Sequence, residues 1–354
     1  MKAMILAAGL GTRLRPLTNV VSKPMVRMAG RPCMEHAVRL LKKHGVTEIV
    51  VNLHYKPELI REHFGNGEAF GVHIEYSYEK ELMGTAGGFK RVEAFFGEEP
   101  ALIVSGDALT DIDLGKFLRF HKENKAIATL ALKRVADPTQ YGVVVREKER
   151  IVRFQEKPKR EEAISNLANT GIYLFEPDIF GFIPEGTFYD FGKQLFPELL
   201  KKDEKMCGYV MREYWCDVGD LNVYREAHYD MLTGVVAVEL PGKRFEGNIW
   251  LGERVTVHPD AVLVGPVLVG NNCTLREGSR VYGPSILGDN TVVGKNAEIK
   301  RSILWNQVVV EDEAELADSV VADDCVIPGG ILLKNEVLEK ECLLSICEAA
   351  STKE

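Results

Sequence analysis

From Trp250 onward the chain repeats itself. Val255-Thr256-Val257, Ala261-Val262-Leu263-Val264, Val267-Leu268-Val269-Gly270, Cys273-Thr274-Leu275, Ser279-Arg280-Val281 and Ser285-Ile286-Leu287-Gly288 follow one another. The pattern runs on through Thr291-Val292-Val293-Gly294 and Ala297-Glu298-Ile299 to Ser302-Ile303-Leu304. An aliphatic residue returns about every six positions, with Gly, Asn and Asp at the corners, which is the hexapeptide pattern of a parallel β-helix. Each coil buries its aliphatic residues against the next. The reading assigns residues 245–330 to this domain, after a linker holding Pro241-Gly242. Residues 331–354 mix Leu, Lys and Glu and predict a capping helix or a frayed tail.

Residues 1–234 read differently. Short apolar runs at Lys2–Ala7, Ile49–Asn52, Ala101–Val104 and Ile127–Leu132 alternate with helical spacing such as Met34, Val38, Leu40 and Leu41. Alternation of this kind predicts an α/β domain: a Rossmann-like mixed, mostly parallel sheet flanked by helices. Ligands of such sheets sit at the carboxyl ends of strands. Two polar segments fall there. One is Ala8-Gly9-Leu10-Gly11-Thr12-Arg13-Leu14-Arg15-Pro16-Leu17-Thr18 with Ser22-Lys23-Pro24 behind it, and the other is Ser105-Gly106-Asp107. Gly9 and Gly11 let backbone approach a ligand, and successive bare N–H groups make an anion-binding concavity. Arg13 adds a planar fork for phosphate oxygens and Lys23 a point charge. Neither a P-loop nor the Rossmann three-glycine pattern is present. Asp111 and Asp113 read as caps of a helix beginning near Leu114.

The net charge of 44 − 52 = −8 argues against a broad nucleic-acid surface. A local basic pocket in an acidic chain suits a small polyanion. The first strand is too short for a signal peptide, and no apolar run approaches the ~18 residues of a membrane span. The seven cysteines are scattered without a Cys-x-x-Cys pair and read as reduced thiols of a cytoplasmic protein.

The string Gly9-Leu10-Gly11-Thr12-Arg13-Leu14-Arg15-Pro16-Leu17-Thr18 with Lys23-Pro24 resembles the signature of the sugar-nucleotide pyrophosphorylases, and most closely that of the mannose-1-phosphate guanylyltransferases. The resemblance covers residues 1 to about 328 and implies the following. Ala8, Gly9, Gly11, Thr12 and Arg13 cradle the triphosphate of an NTP. Glu79, Gly84 and Thr85 meet the base, with the Glu79 carboxylate suited to the donors of guanine. One departure is Leu82-Met83, where relatives carry Pro-Leu. Asp107 and Asp217 hold Mg²⁺. Gly142, Glu156, Lys157, Asn169 and Gly171 bind the sugar 1-phosphate. Arg13, Lys23 and Lys157 act catalytically by neutralising charge. The β-helix becomes left-handed, with about four coils before Ile327-Pro328.

The implied reaction is attack of a sugar 1-phosphate oxygen on the α-phosphorus of an NTP, with pyrophosphate leaving. GTP and mannose 1-phosphate lead, and uridylyl or thymidylyl transfer to glucose 1-phosphate is the alternative. Acyl transfer on the β-helix is a rival, with His258 as the only histidine there. A non-catalytic relative, comparable to translation-initiation exchange-factor subunits, is another, but such a chain would be free to lose Arg13, Lys23, Asp107 or Asp217. A homo-oligomer is expected, with no nucleic-acid and no membrane partner.

Overall fold

The computed structural model describes residues 1–340. The chain falls into two compact units, each drawn from several segments. The first comprises Met1–Leu10, Ser22–Met25 and Cys33–Asp217. Its sheet contains β1 (Lys2–Leu6), β2 (Glu48–Leu53), β3 (His73–Tyr78), β4 (Ala101–Ser105), β6 (Ala128–Arg134), β7 (Gly142–Glu147), β8 (Arg150–Glu156), β9 (Leu167–Phe175) and β10 (Met206–Val210), in the order β3-β2-β1-β4-β9-β6-β10-β8-β7. A separate ribbon pairs β5 (Ala108–Thr110) with β11 (Trp215–Asp217), antiparallel. The strands β3-β2-β1-β4 run parallel. β9 enters antiparallel between β4 and β6, β10 pairs parallel with β6, and β8 with β7 forms an antiparallel hairpin.

Side chains alternate across a strand, and here both faces are buried, which is why the strands read as unbroken apolar runs. Ala3 and Ile5 join one core cluster with Ile49, Val51, Leu102 and Val104. Met4 joins the other with Val50 and Ile103. The first cluster is covered by α1 (Cys33–Lys43) through Met34, Val38 and Leu41. The second receives Phe89 of α2 (Gly84–Lys90). Asp113 caps α3 (Leu114–Asn124), its carboxylate accepting from the Lys116 N–H at 2.9 Å. Asp111 instead accepts from the Tyr214 N–H at 2.7 Å and holds the entry to β11.

The second unit comprises Gly11–Val21, Val26–Pro32 and the chain from Val218 onward. Its largest part is a left-handed parallel β-helix of five complete coils on three faces. The first face stacks Ile249–Leu251, Val267–Val269, Ser285–Leu287, Ile303–Leu304, Val320–Val321 and Val337–Leu338. Val269, Leu275, Val281, Leu287, Val293 and Ile299 follow at intervals of six into the core. One residue is then dropped: Leu304 is five beyond Ile299, and stacked partners go from 18 to 17 residues apart. Two polar ladders hold the corners. Asn271, Asp289, Asn306 and Asp323 each accept, through Oδ1, a backbone N–H of the preceding coil at 2.7–3.0 Å. Ser285 and Ser302, both fully buried, accept the N–H groups of Ser302 and Ser319 at 3.2 and 3.1 Å.

The column runs on past residue 330. Pro328, Gly329 and Gly330 turn a corner, with Gly330 at φ +67°, and Leu332–Lys334 and Val337–Leu338 continue the stack. The remainder of the expected tail, residues 341–354, lies outside the described residues.

Helix α4 (Leu221–Thr233) is capped by Asp220 through the Asn222 and Val223 N–H groups and ended by Gly234 at φ +77°. Its Tyr224 hydroxyl donates to the Arg27 carbonyl at 2.7 Å and accepts from Trp305 Nε1 at 2.8 Å. Among the described residues no helix is long and apolar enough to cross a membrane, and the five cysteines are free thiols.

Candidate active site

In the first unit the strand ends carry the chemistry. β1 delivers Ala8 and Gly9, β2 carries Asn52 one residue before its end, and β4 delivers Ser105 and Asp107. These residues line one cavity of about 280 Å³ together with Glu79, Leu82, Gly84, Thr85, Phe188 and Asp190. A Cβ built on Gly9 would meet nothing within 4 Å, so the backbone there faces open space.

The ribbon β5–β11 places Asp217 opposite Ala108, and so brings its carboxylate beside that of Asp107. The ammonium of Lys23 sits between them. It donates to Asp107 Oδ2, and to Asp217 Oδ1 at 3.1 Å. Ser105 Oγ donates to the other oxygen of Asp107. Lys23 is only 9 % exposed. Burial alone would lower its pKa, but the Asp107 and Asp217 carboxylates outweigh that and raise it well above the usual lysine range. Burial would raise the Asp107 carboxyl, and the Lys23 ammonium with the Ser105 hydroxyl holds it below its ordinary value. The arrangement brings together three residues far apart in the chain, and it places Lys23 on the carboxylates rather than at a separate phosphate position.

No group of three or more His, Cys, Asp or Glu side chains among the described residues could hold a metal ion by itself. The Asp107–Asp217 pair nonetheless fits Mg²⁺. It is a hard-oxygen donor set that already gathers one positive charge, and Mg²⁺ is commonly held by one or two carboxylates plus substrate phosphates and water.

Glu79 lines the cavity, but its oxygens are engaged within the protein. Oε1 accepts from Asn52 Nδ2 at 2.8 Å and Oε2 from the Met83 N–H at 3.0 Å. Asn52 Oδ1 in turn accepts the Ala7 N–H at 2.8 Å. The expected base-reading carboxylate therefore braces the glycine turn against the segment ahead of α2. The glycines of α2 have a similar explanation. A Cβ on Gly84 would lie 2.5 Å from the Tyr189 carbonyl oxygen, and one on Gly87 2.7 Å from that of Thr187. The backbone that approaches them is the chain's own. Thr85 faces the cavity and donates to Asp190 Oδ2 at 3.0 Å.

The residues expected to bind the sugar gather on β7–β9. Gly142 and Gly192 leave room for the Glu156 carboxylate, because a Cβ on either would lie 2.8 or 2.5 Å from Glu156 Oε2. Burial, followed by the nearby Asp190, raises the Glu156 carboxyl above its ordinary value. Asn169 Nδ2 donates to the Tyr173 hydroxyl at 2.8 Å, and its Oδ1 accepts the Gly171 N–H at 3.3 Å. Gly171 takes φ +77° against Ser105. Lys157 is exposed and holds φ +41°, with its N–H on the Tyr141 carbonyl at 3.1 Å.

Gly11, Thr12 and Arg13 belong to the second unit. Gly11 is left-handed at φ +65°, and its carbonyl accepts from Thr18 Oγ1 at 2.8 Å. The Arg13 guanidinium packs over Gly219, where a Cβ would lie 3.2 Å from Nη2. In the β-helix, His258 Nδ1 accepts from the Asp260 N–H at 3.2 Å.

Two residues with clear roles here escaped the sequence reading. Asn52 carried a signal, being the polar residue that ends the apolar run Ile49-Val50-Val51. Asp190 carried none, since Tyr189-Asp190-Phe191 matches no motif read above. Its Oδ1 accepts the Gly192 and Lys193 N–H groups at 3.0 and 3.2 Å while Oδ2 holds Thr85.

The strand-end cavity lies in an α/β unit, and the family model described as nucleotidyl transferase matches residues 2–234. The chain belongs to that family. Residues 246–347 are similar to the EIF2B subunit epsilon LbH domain. A UTP–glucose-1-phosphate uridylyltransferase of Synechocystis is 39% identical over 76% of this chain and 74% of its own length. The mannose-1-phosphate guanylyltransferase of Mycobacterium tuberculosis is 36% identical over 75% of this chain and 74% of its own. A solved Bacillus anthracis structure, described as a glucose-1-phosphate thymidylyltransferase, superposes with a TM-score of 0.61 at 26% identity, covering 69% of this chain and 98% of that one.

Proposed function

We propose that this protein transfers a guanylyl group from GTP to mannose 1-phosphate with Mg²⁺ and releases pyrophosphate. The observation that carries the reading is the meeting of Asp107 and Asp217 on one positive charge beside the open backbone of Gly9. In the reaction a phosphate oxygen of the sugar 1-phosphate forms a bond to the α-phosphorus. The bond to the oxygen bridging the α- and β-phosphates breaks, and its electrons leave with pyrophosphate. A phosphate monoester is already anionic at neutral pH, with a second pKa near 6, so no general base is needed. The obstacle is repulsion between two polyanions, and positioning with charge neutralisation carries the catalysis.

Asp107 and Asp217 would hold Mg²⁺, which supplies charge neutralisation between the two phosphates. Ala8, Gly9, Gly11 and Thr12 offer backbone N–H groups to the triphosphate, and Arg13 balances charge on the leaving pyrophosphate. Lys23 serves the α-phosphate and Lys157 the sugar phosphate. Gly84 and Thr85 line the base end, and Glu156, Asn169, Gly142 and Gly171 shape the sugar end. The chemistry is assigned to residues 1–234.

UTP with glucose 1-phosphate is the second reading, favoured by the similarity to the Synechocystis enzyme. Four NTPs assayed against mannose, glucose and N-acetylglucosamine 1-phosphates, read by pyrophosphate release, separate the two. GTP with mannose 1-phosphate is expected to give the highest kcat/KM. Asp107→Asn is expected to lower kcat by about 10²-fold or more, and near-normal turnover in that variant would refute the site.

A further inference from the structure

Lys23 occupies the space between the two carboxylates assigned to the metal. Its ammonium donates to Asp107 Oδ2 and Asp217 Oδ1, and Ser105 takes the remaining oxygen of Asp107. The stem is buried, and the residue opens a short turn, Lys23–Met25, closed by the Met25 N–H on the Ser22 carbonyl at 2.8 Å. An ammonium and a divalent cation seek the same lone pairs and repel each other. Two facing carboxylates without either would also repel. The pair therefore has a resident counter-ion, which a metal seeking Asp107 Oδ2 and Asp217 Oδ1 would meet in its way.

We propose that Lys23 keeps the Asp107–Asp217 pair closed to divalent cations until a nucleoside triphosphate gives the ammonium another anion to bind. Metal then enters with the nucleotide and not before it. This rests on the reading of the two aspartates as the metal-holding pair. It adds an order of binding, and it gives Lys23 a gating role besides any contact with phosphate.

The test is a titration with Mn²⁺ alone, without nucleotide, followed by calorimetry and by the electron paramagnetic resonance of free Mn²⁺. The wild-type protein is expected to show no site tighter than about 0.1 mM. Lys23→Met should bind Mn²⁺ at least about tenfold more tightly, and adding Asp217→Asn to that variant should abolish the gain. A tight nucleotide-free site in the wild type overturns the proposal whatever the variants do, as does equal affinity in the wild type and Lys23→Met. If Asp107→Asn loses turnover while Lys23→Met gains no Mn²⁺ affinity, the aspartates stand and the gate falls. If neither protein binds Mn²⁺ and Asp107→Asn keeps its turnover, the metal assignment falls with it.

Discussion

Glu79 and Glu156 are both carboxylates set against small-residue segments, and their surroundings give them opposite tasks. Glu79 is 1 % exposed and braced from two sides, by Asn52 and by the Met83 N–H. A glutamine there offers one acceptor and one donor group, so either Asn52 Nδ2 or the Met83 N–H would face a donor. Glu79→Gln is expected to cost about 1–3 kcal/mol in urea denaturation and to leave the ranking of the four NTPs unchanged. Altered base preference at full stability would restore the base-reading role. Among the described residues no hydrogen bond braces the Glu156 carboxylate in this way. Burial and then Asp190 raise its carboxyl above the ordinary 4.5. A raised folded-state pKa means that the folded protein binds the proton more tightly than the unfolded chain, so stability falls as pH rises from about 4.5 through the raised value. Glu156→Gln should therefore melt higher than the wild type at pH 7, with the gap closing by pH 4. Equal melting temperatures at both values would show that the carboxylate carries no such cost. Asp107 was legible in sequence because it follows the apolar run Ala101–Val104 at a strand end, and Asp217 entered through the family resemblance. The bracing of Glu79 was not legible, because Asn52 is 27 residues away and reaches it only through tertiary packing, and the turn of the Met83 N–H back onto Glu79 is a fact of the folded segment that no residue type announces.

Among the elements, the strands Leu332–Lys334 and Val337–Leu338 fall in residues read as a tail, whereas the aliphatic period of six was readable from Trp250 to Leu304, and so was the cap Asp113. The loss of one residue after Ile299 was not. A corner residue can be omitted while each following aliphatic side chain still lands on its face, so the sequence shows only a slightly irregular spacing. The column's inner corner also depends on hydroxyls that look like ordinary polar punctuation. Ser302 is fully buried, accepts the Ser319 N–H at 3.1 Å and donates to the Lys300 carbonyl at 2.8 Å. Ser302→Ala removes both partners at once and leaves a buried N–H unpaired, for an expected loss of about 1–3 kcal/mol. The measurement is the shift in denaturant midpoint with an unchanged slope. A shift below about 0.3 kcal/mol would mean that water or a backbone adjustment replaces the hydroxyl.

For the molecule as a whole, the second unit draws on both ends of the chain, and this grouping is the part least legible in sequence. Arg27 and Asp323 are 296 residues apart, and Asn19 and Glu339 are 320 apart. No local pattern announces either pair. Arg27 Nε lies 3.0 and 3.3 Å from the two oxygens of Asp323, with Nη2 3.2 Å from Oδ2, and both side chains are about a quarter exposed. The Asp323 carboxylate also ends the corner ladder by accepting the Asn306 N–H at 2.8 Å. Asp323→Asn preserves an acceptor for that N–H while removing the charge, so it separates the ion pair from the ladder. Arg27→Met keeps the packed stem and removes the guanidinium. A double-mutant cycle on these two changes is expected to give a coupling of about 1 kcal/mol, at the upper end for a partly exposed pair because the contact is forked. The coupling is read from thermal or denaturant unfolding of the full chain in the two single variants and the double variant, and raising the salt should reduce it only in part. A coupling near zero would show that the fork contributes nothing measurable, and that Tyr224 with Trp305 carries the attachment of the Arg27 segment to the column.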